Sequence, residues 1–217
     1  MAPSTGRSGS TWSAVLADRE FATLWLAYAL SLAGDQLARV ALAVLVFDAT
    51  GSAAATALAY AVTFLPWLVG GPLLAGLGDR YPRRTVLVAC DALAAGLLAV
   101  MALPAVGPLA LGALLFLVVT LAAPFTAARS ALVRDLFPDD ERYAAAAALS
   151  AVTIQLAQVA GFAAGGVLVA ALGTRQALLV DAVTFAVSAV LIRLWVRQRE
   201  APAGRGPDRP GHWADVR

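Results

Sequence analysis

The sequence has few of the residues on which enzyme or metal chemistry is built. Its 217 residues include one cysteine, Cys90, and one histidine, His212, near the C-terminal end. A single cysteine excludes an internal disulfide and a cysteine metal cluster. No Ser/His/Asp set, phosphate-binding glycine loop or paired-carboxylate hydrolase geometry is visible. We therefore expect a protein that is not an enzyme and that holds no cofactor and no metal.

Charge is also scarce, and lysine is absent. Only 14% of the residues are charged and 60% are hydrophobic, with a mean hydropathy of +0.77. Soluble domains contain about 25% charged and roughly 45–50% apolar residues. All 16 basic residues are arginine and the net charge is +2, so a nucleic-acid partner is not expected. This composition is typical of a polytopic α-helical membrane protein, whose main partner is the lipid bilayer.

Six apolar segments are long enough to cross a bilayer as helices. The sequence predicts spans at Phe21–Phe47, Ala53–Leu77, Thr85–Leu103, Leu109–Ala128, Tyr143–Leu172 and Gln176–Val196. We expect an all-α bundle of six transmembrane helices over 21–196. A cytoplasmic N-terminal segment, 1–20, precedes it, with Met1–Ser10 polar and disordered. A cytoplasmic tail, 197–217, follows it.

The distribution of arginine predicts the orientation of the bundle. Fourteen of the 16 arginines lie in the two terminal segments, in the loops that follow spans two and four and, for Arg193, at the end of span six next to the C-terminal tail. The opposite loops hold only Arg175, and Arg39 lies inside span one. By the positive-inside rule, both termini face the cytoplasm of a multi-pass protein in the cell membrane.

The densest group of charges is the loop between spans two and three, Ala75–Arg84, which reads Ala-Gly-Leu-Gly-Asp-Arg-Tyr-Pro-Arg-Arg. Asp79, at a helix end, can accept hydrogen bonds from arginines and from the N-terminus of a neighbouring helix. Such contacts would close the cytoplasmic side, and breaking them would let it open. The alternative is a loop whose arginines only set the orientation.

This loop resembles the signature loop of the major facilitator superfamily, which reads roughly Gly-x-Leu-Ala/Gly-Asp-Arg-x-Gly-Arg-Arg. The matching residues are Gly78, Asp79, Arg80, Arg83 and Arg84. Ala75 and Pro82 replace two glycines of the family. The Asp-Arg-Tyr-Pro-Arg-Arg version is similar to the drug/proton antiporter branch, which includes macrolide-efflux-like and siderophore-exporter-like proteins.

Further likenesses to that branch follow in order along nearly the whole chain. They are Gly34-Asp35-Gln36, Thr50-Gly51-Ser52, Ala128-Arg129-Ser130-Ala131-Leu132 and Asp181-Ala182-Val183-Thr184-Phe185. In span five, Gly161, Gly165 and Gly166 match the antiporter motif Gly-Pro-x-x-Gly-Gly, with Phe162 in place of its proline. Span four lacks the arginine that many proton-coupled members carry in mid-helix.

The resemblance implies proton-coupled export of small amphiphilic molecules, drug-like or siderophore-like, by alternating access. A complete transporter of this kind has two six-helix bundles, and this chain supplies one. Three interpretations are open. The chain is a truncated product or fragment, a half that pairs with a second chain or with itself, or a six-helix subunit without transport activity that acts as an assembly or interaction partner.

Ionisable residues inside the spans are the candidate functional residues, because each costs roughly 2.5–3.5 kcal/mol at the bilayer centre. Asp35 lies near the middle of span one, and Arg39 follows at i+4 on the same face. The pair is either a proton-coupling carboxylate with a modulating cation or a self-satisfied ion pair. Asp91 in span three is expected to brace the cytoplasmic gate, which comprises Asp79, Arg80, Arg83, Arg84, Asp91 and Arg129.

Two amides in span five, Gln155 and Gln158, share a helix face at i and i+3. They could contact substrate in the cavity, although interhelical hydrogen bonding explains them equally well. Pro138-Asp139-Asp140-Glu141 predicts the start of span five, with acidic residues capping its first turn.

Overall fold

The computed structural model describes residues 8–62 and 81–199, and all regular secondary structure in these residues is α-helical. The helices are α1 (Ser8–Leu16), α2 (Arg19–Thr50), α3 (Ala53–Val62), α4 (Arg83–Met101), α5 (Pro108–Leu136), α6 (Asp140–Leu172) and α7 (Thr174–Trp195). The sequence-based prediction of an all-α protein is therefore confirmed for the described residues.

Five of these helices, α2, α4, α5, α6 and α7, are long and apolar enough to cross a membrane. Each has at least 19 residues, and about 20 helical residues span the roughly 30 Å hydrocarbon core. They correspond to predicted spans one, three, four, five and six. Predicted span two is described only through α3, because 63–80 lie outside the described residues, so the count of six remains a prediction.

Local sequence sets the ends of the helices. Asp18 caps α2 by accepting a hydrogen bond from the Phe21 amide at 2.9 Å, and Asp139 caps α6 through the Arg142 amide at 2.8 Å. The second cap confirms the predicted start of span five. At the other end of α2, Gly51 adopts a left-handed conformation with φ 62°, which glycine tolerates without a Cβ clash.

Two boundaries differ from the prediction. The helix of span four continues to Leu136, well past Ala128, because Arg129 and Arg134 interrupt the apolar pattern without interrupting the helix. Disorder was predicted for Met1–Ser10, and this is wrong for Ser8–Ser10, which begin α1. Tertiary packing orders α1, since Val15 is fully buried in the core.

Helix α2 is the centre of the bundle and packs against α6 and α7, while α4 packs against α5 and α7. Buried apolar residues form two clusters, one towards each end of the bundle. The first includes Phe21, Leu24, Leu87, Phe137 and Ile192, and the second includes Leu42, Leu98, Met101, Leu115 and Leu178. Between them the helices bury a polar layer that contains Gln36, Asp91 and Ser188.

Candidate functional site

A cavity of about 340 Å³ lies at the level of this polar layer, between α2, α4, α5, α6 and α7. Its walls are largely apolar and include Leu32, Val118, Leu121, Phe125 and Phe185. Its polar and ionisable lining residues are Tyr28, Ser31, Asp35, Gln36, Arg39, Cys90, Asp91, Thr126 and Gln158. An apolar cavity with a few polar groups is the usual form of a small-molecule site.

One face of α2 forms a wall of the cavity. Tyr28, Ser31, Asp35 and Arg39 recur at intervals of three or four residues, which places them on one side of a helix. Asp35 and Arg39 are partly exposed towards the cavity, and their charges attract each other. The structure thus places both members of the predicted proton-coupling pair in the site.

Asp91 of α4 lines the same cavity and is only 2% exposed. Its Oδ2 accepts a hydrogen bond of 2.5 Å from the Ser188 hydroxyl on α7. Among the described residues, the gate arginines Arg83 and Arg84 bond to other groups. Asp91 and Asp35 line the same cavity, and the assignment of Asp91 to the gate stays a prediction.

A third carboxyl group, that of Asp181 on α7, lies behind this wall at the contact with α2. Asp181 is fully buried, and its Oδ1 accepts a 3.2 Å hydrogen bond from the Thr184 hydroxyl. A Cβ built at Gly34 would overlap Asp181 Oδ1 and Thr184 Oγ1. Glycine at position 34 therefore lets the Asp181 carboxyl pack directly against the backbone of α2, next to Asp35.

Arg129 lies behind Tyr28, a residue of the cavity wall that belongs to the first apolar cluster. Its guanidinium lies 3.8 Å from the centre of the Tyr28 ring, and Tyr28 stacks on Phe125 with ring centres 6.2 Å apart. Arg129 is 7% exposed, so a cation–π contact holds a largely dehydrated charge. Among the described residues, the predicted gate residue Arg129 contacts the cavity-lining Tyr28.

Arg83 and Arg84 tie the start of α4 to the ends of two other helices. Arg83 forms an ion pair with Asp135 and donates to the Ala131 carbonyl at 3.0 Å, both on α5. Arg84 donates to the Arg193 carbonyl near the end of α7. Cations at helix C-termini are favourable because unpaired carbonyls give that end a partial negative charge. The other gate residues of this loop, Asp79 and Arg80, lie outside the described residues.

A second connection joins α2 to the chain that leaves α7, and we call it the Glu20–Arg199 clamp. Arg199 donates from both of its terminal nitrogens to the two Glu20 carboxylate oxygens, at 2.6 Å and 3.0 Å. The Arg197 amide also donates to Glu20, at 3.0 Å. A two-point arginine–carboxylate contact fixes geometry as well as charge.

The three glycines of the predicted antiporter motif differ in their surroundings. A Cβ at Gly161 would lie 2.8 Å from Gln36 Cβ and 2.9 Å from the Ala33 carbonyl oxygen. At Gly165 it would lie 3.2 Å from Val40, whereas at Gly166 it would meet nothing within 4 Å. Gly161 and Gly165 thus provide the close contact between α6 and α2, while Gly166 lies on an open face.

The two amides predicted to contact substrate also separate. Both are exposed on α6, but Gln158 lines the cavity and Gln155 is not part of the lining. Within 8–62 and 81–199, no group of three side chains is arranged to hold a metal ion.

Sequence reasoning missed Tyr28, Ser188 and Gly34 as parts of this site. Tyr28 lies seven residues before Asp35, two turns along the same face, so helical spacing could have indicated it. The pairings of Ser188 with Asp91 and of Gly34 with Asp181 join different helices, and no local pattern encodes them.

The helices and the cavity define a multi-pass membrane protein, and comparison with known proteins identifies its family. The family model described as Major Facilitator Superfamily matches residues 24–217. Because this match covers most of the chain, the protein belongs to the major facilitator superfamily, a family of membrane transporters.

Individual relatives agree with this family assignment. The chain is 32% identical over 72 residues to macrolide efflux protein A of Streptococcus pyogenes. This matched stretch is 33% of this chain and 18% of that protein. It is 28% identical over 196 residues to the uncharacterized MFS-type transporter YkuC of Bacillus subtilis, covering 88% of this chain and 45% of YkuC. The chain thus spans less than half the length of these curated relatives.

Proposed function

We propose that this chain forms the N-terminal six-helix half of an exporter of small amphiphilic molecules, such as drugs or siderophores, and that protons drive the export. Both termini face the cytoplasm of the cell membrane in this proposal. The observation that carries it is the apolar cavity with Asp35 and Arg39 in its wall. Membership of a transporter family supports the same interpretation.

The cost of charge in a membrane supports a functional role for Asp35. A carboxylate or guanidinium at the bilayer centre costs roughly 2.5–3.5 kcal/mol on insertion scales. Asp35 lies near the middle of α2 and is partly exposed to the cavity, where it can meet a substrate. A residue that served only helix packing would be less costly if it were neutral.

In the proposed cycle, Asp35 carries a proton when the cavity is empty and releases it when the substrate binds. Arg39, one turn away, stabilises the carboxylate that remains after release. The apolar walls, which include Phe125 and Phe185, accept the hydrophobic part of an amphiphilic substrate. Gln158 is a further candidate contact.

Alternating access requires a second six-helix half that rocks against this one. The relatives named above are longer than this chain, which is consistent with a second half in the complete transporter. In the proposal, the loop with Asp79, Arg80, Arg83 and Arg84 closes the cytoplasmic side, and Arg129 and Asp91 belong to the same gate. That second half is either a further segment, a separate chain or a second copy.

The first test measures binding and proton release by the purified chain in lipid nanodiscs. Ethidium and a fluorescently labelled macrolide are titrated in, and a pH dye in weakly buffered solution reports released protons. We expect saturable binding with release of protons. Asp35→Asn should bind dye but release no proton, because an amide cannot supply it.

The matched control is Asp48→Asn, which changes an exposed carboxylate near the end of the same helix. It should behave as wild type. Absence of saturable binding by the wild-type chain, or undiminished proton release from Asp35→Asn, would contradict the proposal. A second measurement compares dye export from cells that express the chain alone and together with the part of YkuC that the chain does not match, which should be required for export.

A further inference from the structure

We propose that the Tyr28 ring is a movable barrier between the cavity and the end of the bundle that holds the first apolar cluster, and that it stays closed by covering the buried charge of Arg129. We call that end the first-cluster end. As a step in export, the barrier rests on the proposed function above, whereas its opening can be tested without any substrate. The gate predicted from the sequence includes Arg129 but not Tyr28.

The first observation is the position of Tyr28 in the cavity wall. Along α2 it is the first residue that lines the cavity, and along α5 the last two are Phe125 and Thr126. Helix α2 begins and α5 ends at the first-cluster end, so these residues lie where the cavity meets the cluster. The Tyr28 and Phe125 rings stack across the two helices, with centres 6.2 Å apart and planes at 18°. This ring pair therefore forms the floor of the cavity.

The second observation is the buried charge of Arg129, which follows Phe125 by one turn of α5. Arg129 is 7% exposed, and its Nε is buried without a hydrogen-bond partner among the described residues. Its guanidinium lies 3.8 Å from the centre of the Tyr28 ring. A cation–π contact is strongest when it is shielded from water, yet a buried charge carries a large desolvation cost. The Tyr28 ring offsets part of that cost.

A second arginine of α5 makes the same kind of contact near solvent. The guanidinium of Arg134 lies 4.7 Å from the centre of the Tyr143 ring. The Arg134 side chain is 49% exposed and also forms an ion pair with Asp140, so water and a carboxylate stabilise its charge with or without the ring. Loss of the Tyr143 ring should therefore matter little, which makes this contact the matched control for Tyr28 and Arg129.

The contacts of Tyr28 give the barrier two alternative states. In the closed state, which the structure shows, the ring covers Arg129 and the floor of the cavity is apolar. If the ring moves away, the dehydrated guanidinium draws in water from the first-cluster end, and this water opens a path to the cavity. Hydration of Arg129 thus favours the open state, and the Tyr28 ring favours the closed state. A substrate that packs against the ring from the cavity can shift this balance.

The chain contains its own reporter for the open state. Cys90 is the only cysteine of the sequence and lines the cavity, and at 7% exposure it should react slowly while the barrier is closed. The full chain is placed in membrane vesicles without substrate, and methanethiosulfonate reagents that do not cross membranes are added from one side at a time. The measured quantity is the rate of Cys90 labelling, with Cys90→Ser as the background.

Two precautions make the rates comparable. An anionic and a cationic reagent are used in parallel, so that a change of charge at position 129 is not mistaken for attraction of the reagent. Trypsin cleaves after arginine, and cleavage after the exposed Arg142 at the start of α6 identifies the vesicles in which the first-cluster end faces the medium. The result therefore does not depend on the proposed orientation. Gel filtration and circular dichroism check that each variant is folded.

We expect Tyr28→Leu to speed labelling from the first-cluster end by about tenfold or more, because loss of a dehydrated cation–π contact shifts a two-state equilibrium by that order. Labelling from the opposite side should stay as in wild type. Tyr28→Phe keeps the ring and should label as wild type does, and so should Tyr143→Leu. An unchanged rate in Tyr28→Leu, or equal acceleration from both sides, would overturn the proposal.

The double variant Tyr28→Leu with Arg129→Met separates the barrier from a simple hole. Methionine is unbranched and uncharged, so the charge that draws in water is gone and labelling should return towards the wild-type rate. If Tyr28→Leu only left an empty space, methionine would not fill it better than arginine does, and labelling would stay fast. Fast labelling of the double variant therefore contradicts the proposal.

Two further arms keep the result decisive. If Tyr28→Leu does not fold, Arg129→Met alone should label more slowly than wild type, because the charge that favours the open state has been removed; an equal or faster rate overturns the proposal. If the wild-type chain binds no dye, the proposed export function fails, but the substrate-free labelling still decides whether Tyr28 and Arg129 form a barrier.

Discussion

The two charged regions of this bundle differ in the groups that their charged side chains contact. At the end that carries Arg83, Arg84 and Arg134, which we call the arginine-rich end, cations contact carboxylates or helix C-termini. In the bundle centre, Asp91 and Asp181 instead accept hydrogen bonds from the hydroxyl groups of Ser188 and Thr184. The two regions lie on the same helices, so the difference comes from which residues face each other across them.

The two kinds of contact are expected to differ in what they contribute to the stability of the bundle. Ion pairs near solvent contribute little each, typically below about 1 kcal/mol, and connect helix ends at low cost. Buried carboxyl groups without a cation partner reduce stability, so the bundle centre is where packing alone gives the least stabilisation. The three predictions that follow test this contrast, from the largest expected effect to the smallest.

The largest effect is expected in the bundle centre from Gly161→Ala. The new methyl group would approach Gln36 Cβ and the Ala33 carbonyl within 3 Å, and forcing α2 and α6 apart should cost about 1–3 kcal/mol. The matched control is Gly166→Ala, where a Cβ meets nothing within 4 Å. The control should be neutral or stabilising by up to ~1 kcal/mol, since alanine favours helix.

Thermal unfolding of both variants in the same detergent, followed by circular dichroism, measures this difference. Equal melting temperatures for Gly161→Ala and Gly166→Ala would show that the glycines of α6 are interchangeable and that the close contact with α2 is unimportant.

A smaller effect is expected at the arginine-rich end from Glu20→Gln. The Glu20 side chain is 13% exposed and accepts three hydrogen bonds in the Glu20–Arg199 clamp. Glutamine keeps one acceptor oxygen and loses the charge, so we expect a loss of about 1 kcal/mol. Amide hydrogen exchange at Arg197 should become faster. Exchange as slow as in wild type would show that the clamp is not formed in the membrane.

The smallest effect is expected from Asp140→Asn, which removes the 2.9 Å ion pair with Arg134. The Asp140 side chain is 92% exposed, so solvent and salt screen the pair, and we expect a loss below about 0.5 kcal/mol. Unfolding measured at low and at high salt should show that loss only at low salt. A loss larger than that of Glu20→Gln would reverse the proposed order.

Much of the fold could be predicted because hydropathy and caps are local properties. Apolar runs indicated the helices α2, α4, α5, α6 and α7, and Asp139 indicated the start of α6. Helix α1 was not foreseen, since its order depends on packing of Val15 against other helices. The end of α5 was placed too early because charged residues end a hydropathy pattern but continue a helix.

The site was predictable in part for the same reason. Asp35 and Arg39 could be singled out because a charge in an apolar helix is conspicuous in the sequence. The neighbours of Asp91 could not be predicted, because Ser188 lies 97 positions away in the chain. The contact of Gly34 with Asp181 likewise depends on how two helices cross, which sequence periodicity does not specify.

For the version of our proposal in which the second half is a further segment of the same chain, the Glu20–Arg199 clamp has a consequence for assembly. It fixes the point at which the chain leaves the bundle next to the start of α2. A tether that starts from a fixed point confines whatever is attached to it to a smaller volume, which raises the effective concentration of that partner. Releasing the clamp would lengthen the tether and lower the effective concentration of the partner, so the Glu20 carboxylate would influence how often the two halves meet.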